Sequence, residues 1–257
     1  MVLGVVQGVT EWLPISSEGI NSLIMVNFFG RSFSEAALYS IWLHTGTLLS
    51  ATVYFRGELL NLVENLPAYV KNPKKDTYEN RITTFMLAST VLSAIIGLPV
   101  LLIGLDKADF SGKSATALIG LLLIFTGLLQ KYSKRPTKKR EITLKDGMLV
   151  GTAQAFSALP GISRSGITTS TLLLRRYDAK SALRLSFLMS IPAVLAAEVG
   201  LAILGKITIE ASSFIAVAIS FAIGLLTIGI LMDLAGRINF GNFCIILGLL
   251  STAPLLL

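Results

Sequence analysis

The chain has 257 residues, of which 53% are hydrophobic and only 14% charged, where a soluble domain carries about a quarter charged residues. A mean hydropathy of +0.73 agrees, so an ordinary soluble fold is excluded, and the length fits one compact membrane domain with no large soluble partner. The net charge of +7 is not a nucleic-acid footprint, because the basic residues sit in short loops between apolar runs, where they report orientation.

In chain order, residues 1–30 are apolar but broken near the middle by Pro14, with Ser16, Ser17 and Gly19 close behind. This segment lacks the basic start of a cleavable signal peptide. Full spans are expected at 36–55, 82–105 and 114–130, each approaching or exceeding what a hydrocarbon core of roughly 30 Å requires. Residues 147–173 form a second apolar segment broken by Pro160, again with Ser and Gly beside it. Two more spans are expected at 183–204 and 212–232, and a shorter sixth at 241–257. Cys244 is the single cysteine, so no disulfide or thiolate metal site forms within one chain.

A proline with nearby serine and glycine interrupts the helical hydrogen-bond ladder. Non-helical backbone at membrane depth survives only where protein or a water-filled cavity surrounds it. Both broken segments therefore read as re-entrant helix–turn–helix hairpins. The expected fold is an all-α integral membrane protein, one domain over 1–257, with about six transmembrane helices and two re-entrant hairpins.

Charge supports this arrangement. If both hairpins return to the side they entered from, the loops 56–81, 131–146, 174–184 and 233–240 share one side. They then hold 17 basic residues against 4 on the other side. Such a bias marks the basic side as cytoplasmic. The run from Lys134 to Arg140 reads as a topology determinant that can also meet anionic lipid.

The sequence also repeats itself. Gly4 and Gln7 line up with Gly151 and Gln154, and Ser16 and Gly19 with Ser163 and Gly166, at one offset. Ala36 to Leu43 resembles Ala182 to Met189. The two repeats are expected at about 1–130 and 147–257, with opposite topology. In such folds the broken segments meet near the midplane and form the binding site.

The first hairpin carries Gln7 and Glu11, four apart and so on one helix face, then Ser16, Ser17 and Glu18 at the turn. A carboxylate inside a membrane is costly and marks function by default; the plain alternative is solvation at the interface, and this applies with more force to Glu18. The second hairpin packs Ser163, Arg164, Ser165 and Thr168 between Gly161 and Gly166. The glycines let the backbone turn and approach a ligand. The helix that starts there suits an anion, and the guanidinium fork matches phosphate. Arg164 either grips phosphate or pairs with Glu11 across the repeat, and both hold if the pair exists before substrate arrives. A carboxylate beside phosphates implies a hard cation such as Mg²⁺. A lipid carrying phosphate satisfies every part of such a site, with a serine or an activated water attacking phosphorus.

These motifs, Gln7-x-x-x-Glu11 with Leu13-Pro14-x-Ser16-Ser17, and Pro160-Gly161-x-Ser163-Arg164-Ser165-Gly166-x-Thr168, resemble the signatures of the bacitracin-resistance type undecaprenyl pyrophosphate phosphatases. The resemblance extends over nearly the whole chain, including Gln154, Ser186-Phe187-Leu188 and Pro192. It implies hydrolysis of the terminal phosphate of a polyprenyl pyrophosphate, in the plasma membrane, with Mg²⁺ or Ca²⁺ and a site open to the outer face. It implies Glu11 as the metal-linked catalytic carboxylate, Gln7 beside it, and Ser17 as nucleophile. Arg164, Ser16, Ser163, Ser165, Thr168, Gly161 and Gly166 would bind phosphate. Where bacterial members commonly carry Thr-Gly-His after the paired serines, this chain has Glu18-Gly19-Ile20. The family's histidine is absent, and either Glu18 or His44, the only histidine, substitutes for it, unless His44 is a plain hydrogen-bonded helix residue. The main alternative is a polyprenyl-phosphate flippase that cleaves nothing; a channel-like protein leaves Arg164 among hydroxyls unexplained. The expected partners are the pyrophosphate lipid and membrane lipids, with no nucleic acid, and no feature specifies an oligomeric state.

Overall fold

A computed structural model describes residues 1–107, 112–132, 141–159, 161–206, 213–234 and 241–252. Eleven α-helices lie among them. The first hairpin is α1 (Val2–Thr10) and α2 (Ser17–Phe29), followed by α3 (Phe33–Tyr54), α4 (Arg56–Lys71), α5 (Tyr78–Lys107) and α6 (Gly112–Tyr132). The second is α7 (Leu144–Ala155), one 3₁₀ turn (Phe156–Ala158) and α8 (Arg164–Leu174), followed by α9 (Ala179–Ile203), α10 (Ser213–Asp233) and α11 (Gly241–Thr252). The chain is an all-α membrane protein. Helices Tyr78–Ile103, Ala179–Ile203 and Ser213–Asp233 are each long and apolar enough to cross a bilayer. Each of the six expected spans is occupied by a helix over its described residues, and both apolar segments break where Pro and Ser cluster. Pro160 and the run 134–140 lie outside the described residues.

One expectation is corrected. Residues 56–81, read as a loop, contain α4 and the first turn of α5. Helix α4 has no long apolar run, so hydropathy passes over it. Its inner face is set by Leu62, buried at 8%, and by bonds from Asn65 to Asn80 (2.8 Å) and between Tyr69 and Thr84 (3.1 Å). That spacing is helical.

Local sequence fixes several helix starts. Ser32 and Glu35 form a capping box at α3, Thr143 and Asp146 another at α7, and Asp178 caps α9. Ion pairs then tie three of the basic loops together: Arg184 to Glu58, Arg81 to Glu141 and Arg175 to Asp146. These loops, expected on one side from charge alone, touch one another.

Helix pairings exchange between the two halves. Helix α1 packs on α10 as α7 packs on α5; α3 lies on α10 as α9 lies on α5; α6 pairs with α11 and α3 with α9. Glycines make the first two crossings close. A Cβ on Gly4 would run into the Ala216 carbonyl of α10, and one on Gly151 would sit 2.6 Å from the Ser89 oxygen of α5. Both contacts are backbone and have little room to yield. The Gly4-x-x-x-Gly8 spacing thus serves close helix contact, with Gly8 against Ile223 and Gly224.

Replacing Gly151 by Val should destabilise the fold by about 1–3 kcal/mol or more through overpacking, read as a lower unfolding temperature in detergent. Gly57→Ala, with nothing within 4 Å of its added methyl, should be neutral or raise it, since Ala favours a helix by up to about 1 kcal/mol. Equal effects of the two would disprove the close crossing.

Candidate active site

The two hairpin turns meet. Ser16 is the N-cap of α2 and accepts from the Gly19 amide at 3.1 Å. The same oxygen accepts from the Gly161 amide of the other hairpin, also at 3.1 Å. Gly161 has φ +109, a conformation that favours glycine, and a Cβ there would lie 2.9 Å from the Ile119 oxygen of α6. A Cβ on Gly19 would lie 3.0 Å from Gly161 itself. Ser165 donates to the Leu13 carbonyl at 2.8 Å, a second stitch between the hairpins.

Glu11 lies at this junction, 5% exposed. Arg164 Nη2, from the first turn of α8, donates to Glu11 Oε1. Three groups converge on Oε2: Gln7 Nε2 at 2.8 Å, Ser17 Oγ at 2.6 Å and His44 Nε2 at 3.1 Å. The other imidazole nitrogen, Nδ1, faces the Ser40 carbonyl at 2.8 Å. Both ring nitrogens therefore face acceptors, an arrangement fully satisfied only when both carry protons. Asn21 holds Gln7 in turn, donating to its Oε1 at 2.9 Å. The carboxylate thus lies between the Arg164 guanidinium and the His44 imidazole, and Ser17 points its proton at it.

Polar atoms remain without partners. Arg164 Nη1 is buried with none, and so is Glu18 Oε1. Both residues line a small cavity of about 20 Å³ together with Glu11, Ser17, His44 and Ser163, close to the space of one water. They also line an adjoining cavity of about 170 Å³ whose remaining wall is largely apolar, with Ile41, Leu98, Leu101 and Ala197 among its residues.

The structure brings Gln7, Glu11, Ser16, Ser17, Glu18, His44, Ser163, Arg164 and Ser165 to one junction. Several of the expected phosphate hydroxyls are already engaged. Ser163 caps α8 by accepting from the Gly166 amide at 3.0 Å, as Ser16 caps α2. Thr168 turns away into the helix packing, bonded to the Arg164 carbonyl at 2.7 Å and to Ser186 at 2.6 Å. Gly166 serves packing, since a Cβ there would meet Thr126 of α6 at 2.9 Å. Sequence reasoning missed Asn21, which stands just after the first motif, and Thr126, an isolated hydroxyl in an apolar stretch of α6. Thr126 accepts from the Ser163 amide at 3.4 Å.

A family model described as bacitracin resistance protein BacA matches residues 1–250. The chain belongs to the BacA family. An undecaprenyl-diphosphatase of Methanococcoides burtonii is 50% identical to it, covering 100% of this chain and 97% of the relative. Those of Methanothrix thermoacetophila and Haloarcula marismortui are each 38% identical, covering 98% and 96% of this chain and 94% and 93% of their own lengths. In this BacA family member the acidic and arginine motifs are the two halves of one ion-paired junction.

Ser16→Ala removes the oxygen shared by two buried amides. It should cost about 1–2 kcal/mol of stability, seen as a lower unfolding temperature. Thr52→Ala, which loses only an exposed bond within its own helix, should change stability by less than about 0.5 kcal/mol. No difference between the two would refute the shared cap.

Proposed function

We propose that this protein removes the terminal phosphate from an undecaprenyl-type polyprenyl diphosphate, leaving the lipid monophosphate and inorganic phosphate. The observation that carries the reading is the Ser17–Glu11–Arg164 cluster. A hydroxyl aims its proton at a buried carboxylate, and half of a guanidinium fork beside it is unclaimed, at the edge of a largely apolar cavity. The names of the relatives, undecaprenyl-diphosphatase, support the same substrate.

Arg164 binds the terminal phosphate through the nitrogen that Glu11 leaves free, a charge-assisted contact suited to phosphate. Ser17 Oγ attacks phosphorus while Glu11 takes its proton. The bond to the bridging oxygen breaks, and that oxygen leaves on the lipid monophosphate. Water then cleaves the phosphoserine, with Glu11 and His44 as the proton-handling pair. Gln7, held by Asn21, keeps the Glu11 carboxylate in place. A bound divalent cation, Mg²⁺ or Ca²⁺, neutralises charge on the phosphates. Oxygen donors suit such an ion, and the buried Glu18 oxygen without a partner supplies one. The apolar wall of the larger cavity suits the isoprenoid chain. A carrier that cleaves nothing has no use for a serine hydroxyl directed at a buried acid.

The membrane is the plasma membrane, the basic loops face the cytoplasm, and the site opens to the outer face. The halves, about 1–130 and 147–257, are inverted repeats, a reading supported by the exchange of helix pairings.

Purified protein in detergent should release phosphate from a polyprenyl diphosphate with Mg²⁺ or Ca²⁺, and EDTA should stop it. Ser17→Ala, Glu11→Gln and Arg164→Ala should each lose roughly 10²-fold or more, with Arg164→Lys rescuing only partly because a bidentate fork is lost. No release across several lipid lengths and cations would sink the phosphatase reading. Separately, Lys138→Cys should react with an impermeant thiol reagent only from the cytoplasmic side; reaction from outside would invert the topology.

A further inference from the structure

The larger cavity is open rather than enclosed, and α5 and α9 form two of its walls. Along α5 the lining passes from Thr90 and Ser93 to Ala94, Gly97 and Leu98. Along α9 it consists of Ala193, Val194, Ala196 and Ala197. Ala94 and Ala196 line the cavity and are exposed as well. Each adjoins a large side chain that faces outward, Ile95 at 63% and Leu195 at 52% exposure. Two small residues thus stand at the rim of a gap between α5 and α9. Packing near it is loose: a Cβ added to Gly200 of α9 would meet only the end of Leu98, at 4.0 Å. Elsewhere around the cavity the described helices are held more closely. Gly151 of α7 meets the Ser89 backbone of α5, and Thr45 of α3 donates to Glu198 of α9 at 2.9 Å. Ile41, Leu101 and Leu201 pack together one turn beyond. Both walls of the gap carry a helix-interior proline, Pro99 in α5 and Pro192 in α9, and the missing hydrogen bond lets a helix bend.

The inner side of the cavity leads to the junction of the hairpins. Glu18, His44, Ser157 and Arg164 line both this cavity and the small one beside Ser17, so they form the passage between the two. Arg164 Nη1 is buried there without a partner. Oε1 of Gln154, a residue 4% exposed that lines the larger cavity, is also buried without one. Open polar atoms of this kind mark space that a polar ligand or water fills. Size then directs the tail outward. At about 170 Å³ the cavity is close to the roughly 150 Å³ that holds one benzene ring, so it accepts about one isoprene unit. A polyprenyl chain is many times longer, and its remainder is stable in lipid rather than in water.

We propose that the gap between α5 and α9, at Ala94 and Ala196, is the portal through which the isoprenoid chain of the substrate passes from the site into the bilayer. The protein holds the first isoprene unit and leaves the rest to lipid. This rests on the phosphatase reading for the identity of the lipid. On the topology proposed above, the gap lies in the outer half of both helices.

The test uses the full chain in lipid nanodiscs with a polyprenyl methylenediphosphonate that carries a diazirine on its second isoprene unit. After illumination, label found by mass spectrometry should fall on α5 and α9 near Ala94 and Ala196, and excess unlabelled lipid should displace it. Displaceable label confined to other helices, or no displaceable label, would overturn the portal. Ala196→Trp should lower kcat/KM for a long polyprenyl diphosphate roughly tenfold more than for geranyl diphosphate. Leu226→Trp, on the exposed face of α10, should change neither by more than about twofold. An Ala196→Trp protein that unfolds at the wild-type temperature yet loses both activities equally would count against the portal. Phosphate release with label on other helices would remove only the portal; displaceable label at the gap without release would remove the phosphatase reading and keep a lipid site.

Discussion

A carboxylate and a guanidinium from opposite halves of the chain meet inside the protein, where burial would make either alone costly. Glu11 and Arg164 are 153 positions apart, and each stands at the break in its own hairpin. Removing one partner from such a pair leaves a buried charge, a penalty of several kcal/mol. The pair therefore dictates that both breaks occupy one place. Ser16 bridging to the Gly161 amide, Ser165 to the Leu13 carbonyl, and the glycine contact between Gly19 and Gly161 all follow from that meeting.

The same contact prepares the chemistry. One nitrogen of Arg164 is spent on Glu11 while the other is unclaimed, so the guanidinium is fixed in place, and on the proposed reading little ordering remains to be done when phosphate binds. Glu11 in turn is held by Gln7, His44 and Ser17, which aligns its acceptor oxygen with the serine hydroxyl. Structural pairing and phosphate grip, two readings of Arg164 that the sequence leaves open, are compatible because the fork has donors enough for both.

Helix positions were largely legible in the sequence. Apolar run length marks α5, α9 and α10, and proline with serine marks both hairpin breaks, because lipid admits no other way to satisfy backbone groups. Helix α4 was not legible by that criterion. Its inner face comes from Leu62, Asn65 and Tyr69 meeting α5, a contact made by tertiary packing rather than by hydrophobicity. The glycines of α1 and α7 sit in a recognisable spacing, but the helices they face, α10 and α5, emerge only from assembly.

The sequence by itself determined the membrane class, the hairpin breaks and the identity of the acidic and arginine motifs, since each follows from local composition and the cost of polar groups in lipid. The tertiary structure decided which polar atoms are spent and which are free. It turned Ser16 and Ser163 into helix caps, sent Thr168 to Ser186, and drew His44 from the third helix onto Glu11. It left Gln154, Thr90 and Glu18 each with an unpartnered oxygen. The physical reason is that hydrogen-bond satisfaction depends on neighbours far apart in the chain, which residue type and spacing do not encode.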